Sequence, residues 1–376
     1  MRPRSTFDPW IMAVETTSAQ LTWGALRPGS VDIGVDGEQV SSLISGGGPH
    51  VVELGDLTPA TSHRVTVTSF DATKELAIDT LSDLGPELYR FATLSDLHIG
   101  RSHFGIRTRI REHDPDELHP TRCARSALED IERWGAQRLI IKGDVVEDSR
   151  PHSWAEAAAL LNEVSIPIHL IAGNHEARPR ATVDPYRHAK LCGLDLQPGV
   201  RSIDVRGARL VLMDSSVPGI DIGRWHHLYD DAVAAVGSTT QPCMVFVHHQ
   251  PQFGPFPTYL PRGIADPGAT RFIRSLVDAN PNIFGSSGHT HRNRKHTIGG
   301  AVWTEVGSPK DYPGSWAGYV VYERGIRQVV RRPSSDTCLD WLERTFHAAA
   351  GAWGLWSPGT LAARCFVHEW PSVNPA

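Results

Sequence analysis

The first part of the chain, up to about residue 86, consists of short apolar runs separated by turn residues. Gly, Pro, Ser and Asp stand between the runs, and no segment has the 3.6-residue spacing of a helix. The runs predict strands at residues 19–23, 31–35, 51–54, 63–69 and 76–80. Regularly spaced short strands are typical of a small β-sandwich. We therefore predict an all-β domain over residues 1–86.

From residue 88 onward, short apolar strands alternate with helices. The predicted strands are residues 89–94, 139–141, 166–172, 209–213, 244–247, 301–305 and 319–322. Apolar residues recur at helical spacing over residues 121–134 and 269–279, and residues 153–164 predict a helix with Ser153 as its N-cap. This alternation predicts an α/β domain, over residues 88–330, in which helices cover a sheet. Residues 331–376 predict one amphipathic helix, near 337–350, and a Trp- and Pro-rich tail.

The composition narrows the class of protein. The chain has 376 residues, 40% of them hydrophobic, which is enough for two or three globular domains. The net charge of −5 argues against an extended nucleic-acid surface. The five cysteines form no Cys-x-x-Cys pair, which argues against a thiolate zinc site. The N-terminus lacks the apolar stretch of a secretory signal, and no apolar run has the length of a membrane span, so we expect a cytoplasmic protein with no membrane partner.

Five polar motifs each begin where an apolar strand ends, the edge at which open α/β sheets bind ligands. They are Ser95-Asp-Leu-His-Ile-Gly100, Gly143-Asp-Val-Val-Glu-Asp148, Gly173-Asn-His-Glu176, Val247-His-His-Gln-Pro251 and Gly288-His-Thr-His291. Asp96 and His98 can turn towards one cation, and Asp144 at a strand tip can bridge two. Taken alone, the first motif also fits a surface turn and the second a capping Asp.

The other three motifs add an amide and several imidazoles. Asn174 offers a neutral carbonyl oxygen to a metal, and His175 offers a proton near neutral pH. One of the adjacent histidines 248 and 249 faces the site and the other packs behind it, because neighbouring side chains leave a strand on opposite faces. His289 and His291 can converge on two metals, although a polar loop has the same pattern. Oxygen and nitrogen ligands in this mixture suit Mn, Fe, Zn or Co.

The order of the five motifs resembles that of the calcineurin-like metallophosphoesterase family, over about residues 88–325. The resemblance implies a four-layer α/β/β/α sandwich with two divalent or trivalent metal ions (Mn, Fe or Zn) between its sheets. The metal ligands carried over from the motifs are Asp96, His98, Asp144, Asn174, His249, His289 and His291. Asp144 would bridge the metals, and Asp96, His98 and His291 would hold one of them.

Two of these assignments need a reason beyond the motif order. His249 is preferred to His248 because the family's ligand usually stands two residues before a proline, here Pro251. His175 would bind no metal and would face the leaving group as the catalytic acid.

Further likenesses concern subgroups of the family. Residues 55–67 resemble part of a fibronectin type III domain, with His63 in place of the usual corner Tyr, and purple acid phosphatases carry a similar domain before their catalytic part. Those phosphatases have a Tyr three residues after the bridging Asp, where this chain has Glu147, so we expect no tyrosinate–iron colour. The catalytic part is more similar to the cyclic-nucleotide and glycerophosphodiester phosphodiesterases.

These features predict hydrolysis of a small phosphomonoester or phosphodiester by a hydroxide that bridges two metals, with His175 as proton donor. A nuclease is a second hypothesis, because Asp-Leu-His-Ile-Gly is also typical of the DNA-repair exonuclease branch, but the acidic net charge argues against a nucleic-acid partner. A non-catalytic binding protein of the same fold is a third, and it predicts missing ligands, whereas every motif position is present. The arginine-rich stretch 101–120 either meets the anionic substrate or is a solvated loop.

Overall fold

The computed structural model describes residues 7–24, 28–70, 72–105, 110–114, 116–178, 183–252 and 261–371. The N-terminal part is an all-β sandwich, as predicted. Its strands are β1 (Trp10–Val14), β2 (Ala19–Trp23), β3 (Gly29–Val35), β4 (Glu38–Ser45), β5 (His50–Leu54), β6 (Ser62–Ser69) and β7 (Ala72–Asp79). One antiparallel sheet has the order β1-β2-β5 and the other the order β4-β3-β6-β7.

Strand β6 shows how the sequence produces this sandwich. His63, Val65 and Val67 are buried while Arg64 is exposed, which is the two-residue period of a half-buried strand. At the position of the usual corner Tyr, His63 Nε2 accepts the backbone N–H of Thr58 at 3.2 Å. A histidine therefore makes the upstream backbone bond that a tyrosine hydroxyl makes in related sandwiches.

The second part of the chain contains two six-stranded sheets. Its strands are β8 (Tyr89–Leu94), β9 (His103–Phe104), β10 (Ile110–Arg111), β11 (Leu139–Lys142), β12 (Ile168–Ile171), β13 (Val200–Val205), β14 (Ala208–Met213), β15 (Cys243–Val247), β16 (Ile283–Ser287), β17 (Arg294–Ile298), β18 (Ala301–Glu305), β19 (Trp316–Val321), β20 (Gly325–Arg331) and β21 (Cys365–Glu369). The first sheet has the order β12-β11-β8-β19-β20-β21, and the second has the order β13-β14-β15-β16-β18-β17. Strands β9 and β10 pair antiparallel in a separate two-stranded sheet.

Helices connect and cover these strands. They are α1 (His119–Arg133), α2 (Pro151–Leu161), α3 (Pro185–Leu191), α4 (Tyr229–Gly237), α5 (Gly268–Ala279), α6 (Asp336–Phe346), α7 (Ala352–Trp356) and α8 (Leu361–Arg364), with 3-10 turns at His226–Leu228 and Ala348–Gly351. Among the described residues, no helix combines the length and the apolar character needed to cross a bilayer.

Three apolar clusters define the layers. Helices α1 and α2 pack on the outer face of the first sheet, where Ile131 and Trp154 are fully buried. Phe91 and Phe246 meet between the two sheets, with ring centroids 5.8 Å apart. Helices α4 and α5 cover the second sheet, with Phe272 in that cluster. The predicted four-layer α/β/β/α sandwich is therefore confirmed, and burial of each large apolar side chain contributes about 1.5–3 kcal/mol to it.

The start of α2 differs from the prediction. The helix begins at Pro151, because the fixed φ of proline suits the first turn and its missing N–H is not needed there. Ser153 is therefore inside the helix and is not its N-cap. Its hydroxyl donates instead to Asp148 Oδ1 at 3.0 Å, within the loop that follows Asp144.

The C-terminal segment returns to the first sheet. Strand β21 pairs antiparallel with β20, so the Trp- and Pro-rich tail contains the edge strand of that sheet. The division of the chain into domains over residues 1–86, 88–330 and 331–376 stays a prediction.

Buried ion pairs join the N-terminal sandwich to strand β20. Glu15 Oε1 lies 2.6 Å from Arg331 and its Oε2 lies 3.1 Å from Arg327. Burial raises the pKa of Glu15, but the two guanidinium groups outweigh burial and hold that pKa below its ordinary value. Arg332 also donates to Thr22 at 2.8 Å. The sandwich is thus joined to the first six-stranded sheet by charges that neither part could bury alone.

Candidate metal centre

The five motifs meet at the carboxyl ends of strands in the two facing sheets. Strands β8, β11 and β12 pair in parallel and end just before the first three motifs. Strands β15 and β16 pair in parallel in the other sheet and end just before the last two. Polar side chains from both sheets therefore converge at one edge of the sandwich, as expected for open α/β sheets.

Five of the eight predicted site residues have left-handed backbone conformations. They are Asp96 (φ 59°), His98 (52°), Asp144 (51°), His289 (67°) and His291 (53°). This conformation costs a residue with a Cβ about 1–2 kcal/mol and persists only where other contacts hold it. Hydrogen bonds between loops do so here, since Asp96 N–H donates to Gly143 O at 3.0 Å and His98 N–H to Asp144 O at 2.8 Å. Such strain is typical of functional sites.

One group of donor atoms comes from the first and last motifs. His98 Nε2 lies 3.3 Å from His291 Nε2, which lies 3.3 Å from Asp96 Oδ1. The donor atoms of these three residues are all within 4.8 Å of one another. Three donor atoms at this spacing can share one cation.

A second group lies beside the first. His248 Nε2 is 3.2 Å from Asn174 Oδ1 and 3.1 Å from His289 Nδ1. His249 is also close, because its donor atom is within 4.8 Å of those of His248 and His289. However, His249 Nδ1 lies 2.8 Å from the hydroxyl of Ser215, outside the five motifs. The structure therefore brings both imidazoles near the centre, and the predicted choice of His249 stays a prediction.

Asp144 stands between the two groups. Its Oδ1 lies 3.4 Å from His248 Nε2, and its Oδ2 lies 3.6 Å from His98 Nε2. One carboxylate oxygen thus faces each group of donors. This is the arrangement that a carboxylate needs to bridge two cations.

His175 lies at the side of the centre. Its Nδ1 is 2.7 Å from the carbonyl oxygen of Glu147, so Nδ1 carries the proton, because a carbonyl oxygen only accepts. Its Nε2 is 3.8 Å from Asp144 Oδ2, and its ring packs edge-on against His98 with centroids 4.2 Å apart. The Nε2 atom of His175 therefore points to the same space as the donor groups.

Sequence reasoning missed the residues that orient these ligands. Glu176, which the third motif contained without a role, accepts the backbone N–H groups of Asp144 at 2.9 Å, Val146 at 3.0 Å and Gly173 at 2.7 Å. Asp311 Oδ2 lies 2.5 Å from the Nδ1 of a predicted ligand, His291. Partners of this kind fix a ring so that its other nitrogen faces the metal. Asp311 belongs to no motif, and no local pattern marked it.

The electrostatics of the pocket favour a cation. Burial lowers the pKa of His248 and of His291, but nearby Asp144 for the first and Asp311 with Asp96 for the second raise each pKa to about 9. Asp96 Oδ1 is buried and, among the described residues, accepts no hydrogen bond. The donors are carboxylate, amide and imidazole, the set that suits Mn, Fe or Zn. These residues therefore fit a pair of metal ions.

The family profile described as calcineurin-like phosphoesterase matches residues 89–293, more than half of the chain. The chain belongs to this family, as the order of its motifs predicted.

Among similar proteins, a probable cyclic nucleotide phosphodiesterase of Synechococcus sp. is 28% identical over 114 residues, which cover 30% of this chain and 42% of that protein. The glycerophosphodiester phosphodiesterase GpdQ of Enterobacter lignolyticus is 33% identical over 121 residues, which cover 30% of this chain and 41% of that protein. The chain thus spans less than half the length of these two relatives. The solved purple acid phosphatase of yellow lupin (Lupinus luteus) aligns with a TM-score of 0.46 at 13% identity, over 86% of this chain and 72% of that one.

Proposed function

We propose that the chain hydrolyses a phosphomonoester or phosphodiester at a centre of two metal ions. The observation that carries the proposal is the position of Asp144, with one oxygen towards His98 and the other towards His248. Membership of the phosphoesterase family supports ester hydrolysis. The two curated relatives are both named phosphodiesterases, which favours a diester for this chain as well.

The proposed ligands differ from the sequence prediction at one position. They are Asp96, His98, Asp144 and His291 for one metal, and Asp144, Asn174, His248 and His289 for the other. Distances of 3.2 Å to Asn174 and 3.4 Å to Asp144 support His248 in place of His249. His249 would then support the loop near Ser215.

Metal ions held here, of the Mn, Fe or Zn type, would lower the pKa of a water and offset charge on the phosphoryl oxygens. His175 would serve as the proton donor. Its Nδ1 proton is engaged by the carbonyl oxygen of Glu147, so Nε2 is the atom that can hold and release a proton towards the substrate. We propose a small phosphate ester as the substrate and no nucleic-acid partner.

The test combines elemental analysis with a panel of esters. The protein is stripped with a chelator, reloaded with Mn, Zn, Fe or Co, and assayed on p-nitrophenyl phosphate, bis(p-nitrophenyl) phosphate, cyclic AMP, glycerophosphocholine and single-stranded DNA. We expect about two metal ions per chain and turnover of at least one small ester. Less than one metal per chain, or no turnover with any metal, would overturn the proposal, and turnover of DNA alone would favour the nuclease.

Two variants separate binding from catalysis in the same assay. Asp144→Asn should lose metal and slow turnover more than about 100-fold. His175→Ala should slow turnover by about 10²–10⁴-fold while metal content is unchanged. Loss of metal from His175→Ala would show that this imidazole is a ligand and not the acid.

A further inference from the structure

The carboxylate of Glu147 contacts two histidines of the candidate metal centre and two arginines. Its Oε2 lies 2.9 Å from His98 Nδ1 and 3.2 Å from His175 Nδ1. The same carboxylate lies 3.4 Å from Arg101 and 3.7 Å from Arg178. One negative charge is therefore shared by two permanently charged guanidinium groups and two imidazoles.

The two arginines lie at the edge of the candidate centre, where Arg101 Nε also donates to the carbonyl oxygen of His103 at 2.8 Å. Arg101 stands three residues after His98, and Arg178 three residues after His175, so each extends from a loop of the centre. Among the described residues, Arg178 forms ion pairs with Glu147 and Asp221, each at 3.7 Å, longer than a hydrogen bond. Guanidinium groups have five donors in a planar fork that matches phosphate oxygens.

Their position indicates which part of a substrate they reach. His175 turns Nε2 towards Asp144 at 3.8 Å and Nδ1 towards Glu147 at 3.2 Å. Along these contacts, His175 and Glu147 connect Asp144 to the two guanidinium groups. Arg178 is also linked to the centre through Asp221, whose Oδ1 accepts from Asn174 Nδ2 at 3.5 Å. Both guanidinium groups are therefore one carboxylate away from residues of the candidate centre, beside a phosphoryl group bound there.

We propose that Arg101 and Arg178, held by Glu147, bind a second phosphate adjoining the scissile one, so that the substrate class is a diphosphate diester. This inference rests on the proposed function. Hydrolysis would add water across the P–O–P link: the hydroxyl goes to the attacked phosphorus, and the bridging oxygen leaves with the second phosphate. The remaining proton of the water goes to that phosphate or to solvent. Arg101 and Arg178 would touch the leaving phosphate, and Glu147 is a positioning residue.

The first measurement compares turnover of ADP-ribose, which has two linked phosphates, with that of bis(p-nitrophenyl) phosphate, which has one. Arg101→Met and Arg178→Met should each lower kcat/KM for ADP-ribose about 10- to 100-fold. We expect less than about threefold loss for the one-phosphate ester. Arg125→Met is the matched control, because Arg125 likewise pairs with two carboxylates, Glu117 and Glu163. Equal losses on both esters, or no loss on ADP-ribose, would overturn the inference.

The second measurement does not depend on turnover. Calorimetry compares binding of adenosine 5′-(α,β-methylene)diphosphate with that of AMP to the metal-loaded protein. The diphosphate should bind at least about 10-fold more tightly, and the Arg101→Met/Arg178→Met variant should lose this difference. Asp221→Asn removes a competing carboxylate and should tighten diphosphate binding by up to about fivefold. Equal binding of both nucleotides would overturn the proposed second phosphate site, even if esters are hydrolysed. A diphosphate preference without any turnover would overturn the proposed hydrolysis instead.

Discussion

Glu176 determines the shape of the two loops that carry Asp144 and Asn174. It is fully buried and accepts three backbone N–H groups from these loops. Glu176→Gln keeps the volume of the side chain but turns one oxygen into a donor that faces other donors. We expect the free energy of unfolding to fall by about 1–3 kcal/mol, as for a buried donor left unsatisfied. Urea titration measures this, with the exposed Glu129→Gln as control, and an unchanged midpoint would contradict the assigned role.

The pair His248 and His249 gives a test of metal ligation at single-residue level. The Nε2 of His248 faces Asn174 and Asp144, whereas His249 Nδ1 contacts Ser215. His248→Asn should therefore reduce metal content by about one ion per chain, while His249→Asn should leave both ions bound. Elemental analysis after dialysis decides between them. Loss of an ion from His249→Asn, with both ions retained in His248→Asn, would support His249 as the ligand, as its spacing to Pro251 predicted.

A single site residue was predictable from the sequence only where the neighbouring residues form a recognisable pattern. Asp144 was predictable because a glycine and a buried strand precede it directly. The contact between Asp311 and His291 was not, because it depends on how a later loop folds back on the site. For His248 and His249, strand alternation shows that the two side chains differ in direction but not which of them faces the donor atoms. The prediction of His249 therefore depended on its spacing to Pro251 alone.

At the scale of elements, the strand ends approach so closely that a glycine is required. A Cβ at Gly173 would lie 2.3 Å from Asp144 Oδ1 and 2.6 Å from Asp144 N. Gly173→Ala must therefore push apart the loops after β12 and β11. We expect a loss of about 1–3 kcal/mol in the free energy of unfolding, as for overpacking, together with weaker metal binding.

The control for this substitution is also a glycine. Gly268, at the start of α5, has nothing within 4 Å of the position of a Cβ. Gly268→Ala should leave metal binding unchanged and stabilise by at most about 1 kcal/mol. Thermal unfolding and metal titration of the two variants decide the matter, and equal effects would show that crowding at Gly173 does not shape the site.

Strands were predictable where they form an unbroken apolar run. Strands β16 and β20 are buried throughout but contain glycine and polar residues, and they were missed. Strand β11 is buried at every residue and was evident as an apolar run. Strand β4 was missed, because its side chains are largely polar and exposed. Strand β21 was missed because it is stabilised by pairing with β20, from which the C-terminal helices separate it in sequence. No local pattern of residues indicates such a pairing.

At the scale of the molecule, a buried charge cluster joins the N-terminal sandwich to the first six-stranded sheet. Glu15 lies between Arg331 and Arg327, and it also accepts the indole N–H of Trp134 at 3.0 Å. The sequence predicted an N-terminal domain, but the two ion pairs of Glu15 with Arg331 and Arg327 join residues more than three hundred positions apart and were not predictable. Because removing one partner leaves a buried charge uncompensated, the interface should be sensitive to a single neutral substitution.

Glu15→Gln tests this interface and has a defined pH dependence. We expect it to lower the free energy of unfolding by about 3 kcal/mol, the lower end for a broken buried pair, because Arg331 keeps its contact with Glu53. The pKa of Glu15 is lowered in the folded chain from an ordinary value of 4.5, so its contribution is complete above that pH and is lost as pH falls through the folded value. The gap between wild type and variant should therefore narrow when urea titrations are taken from about pH 7 to about pH 3.5. The exposed Glu38→Gln should show no such gap. A difference that stays constant down to the lowest pH would mean that the lost stability comes from packing and not from the charge of Glu15.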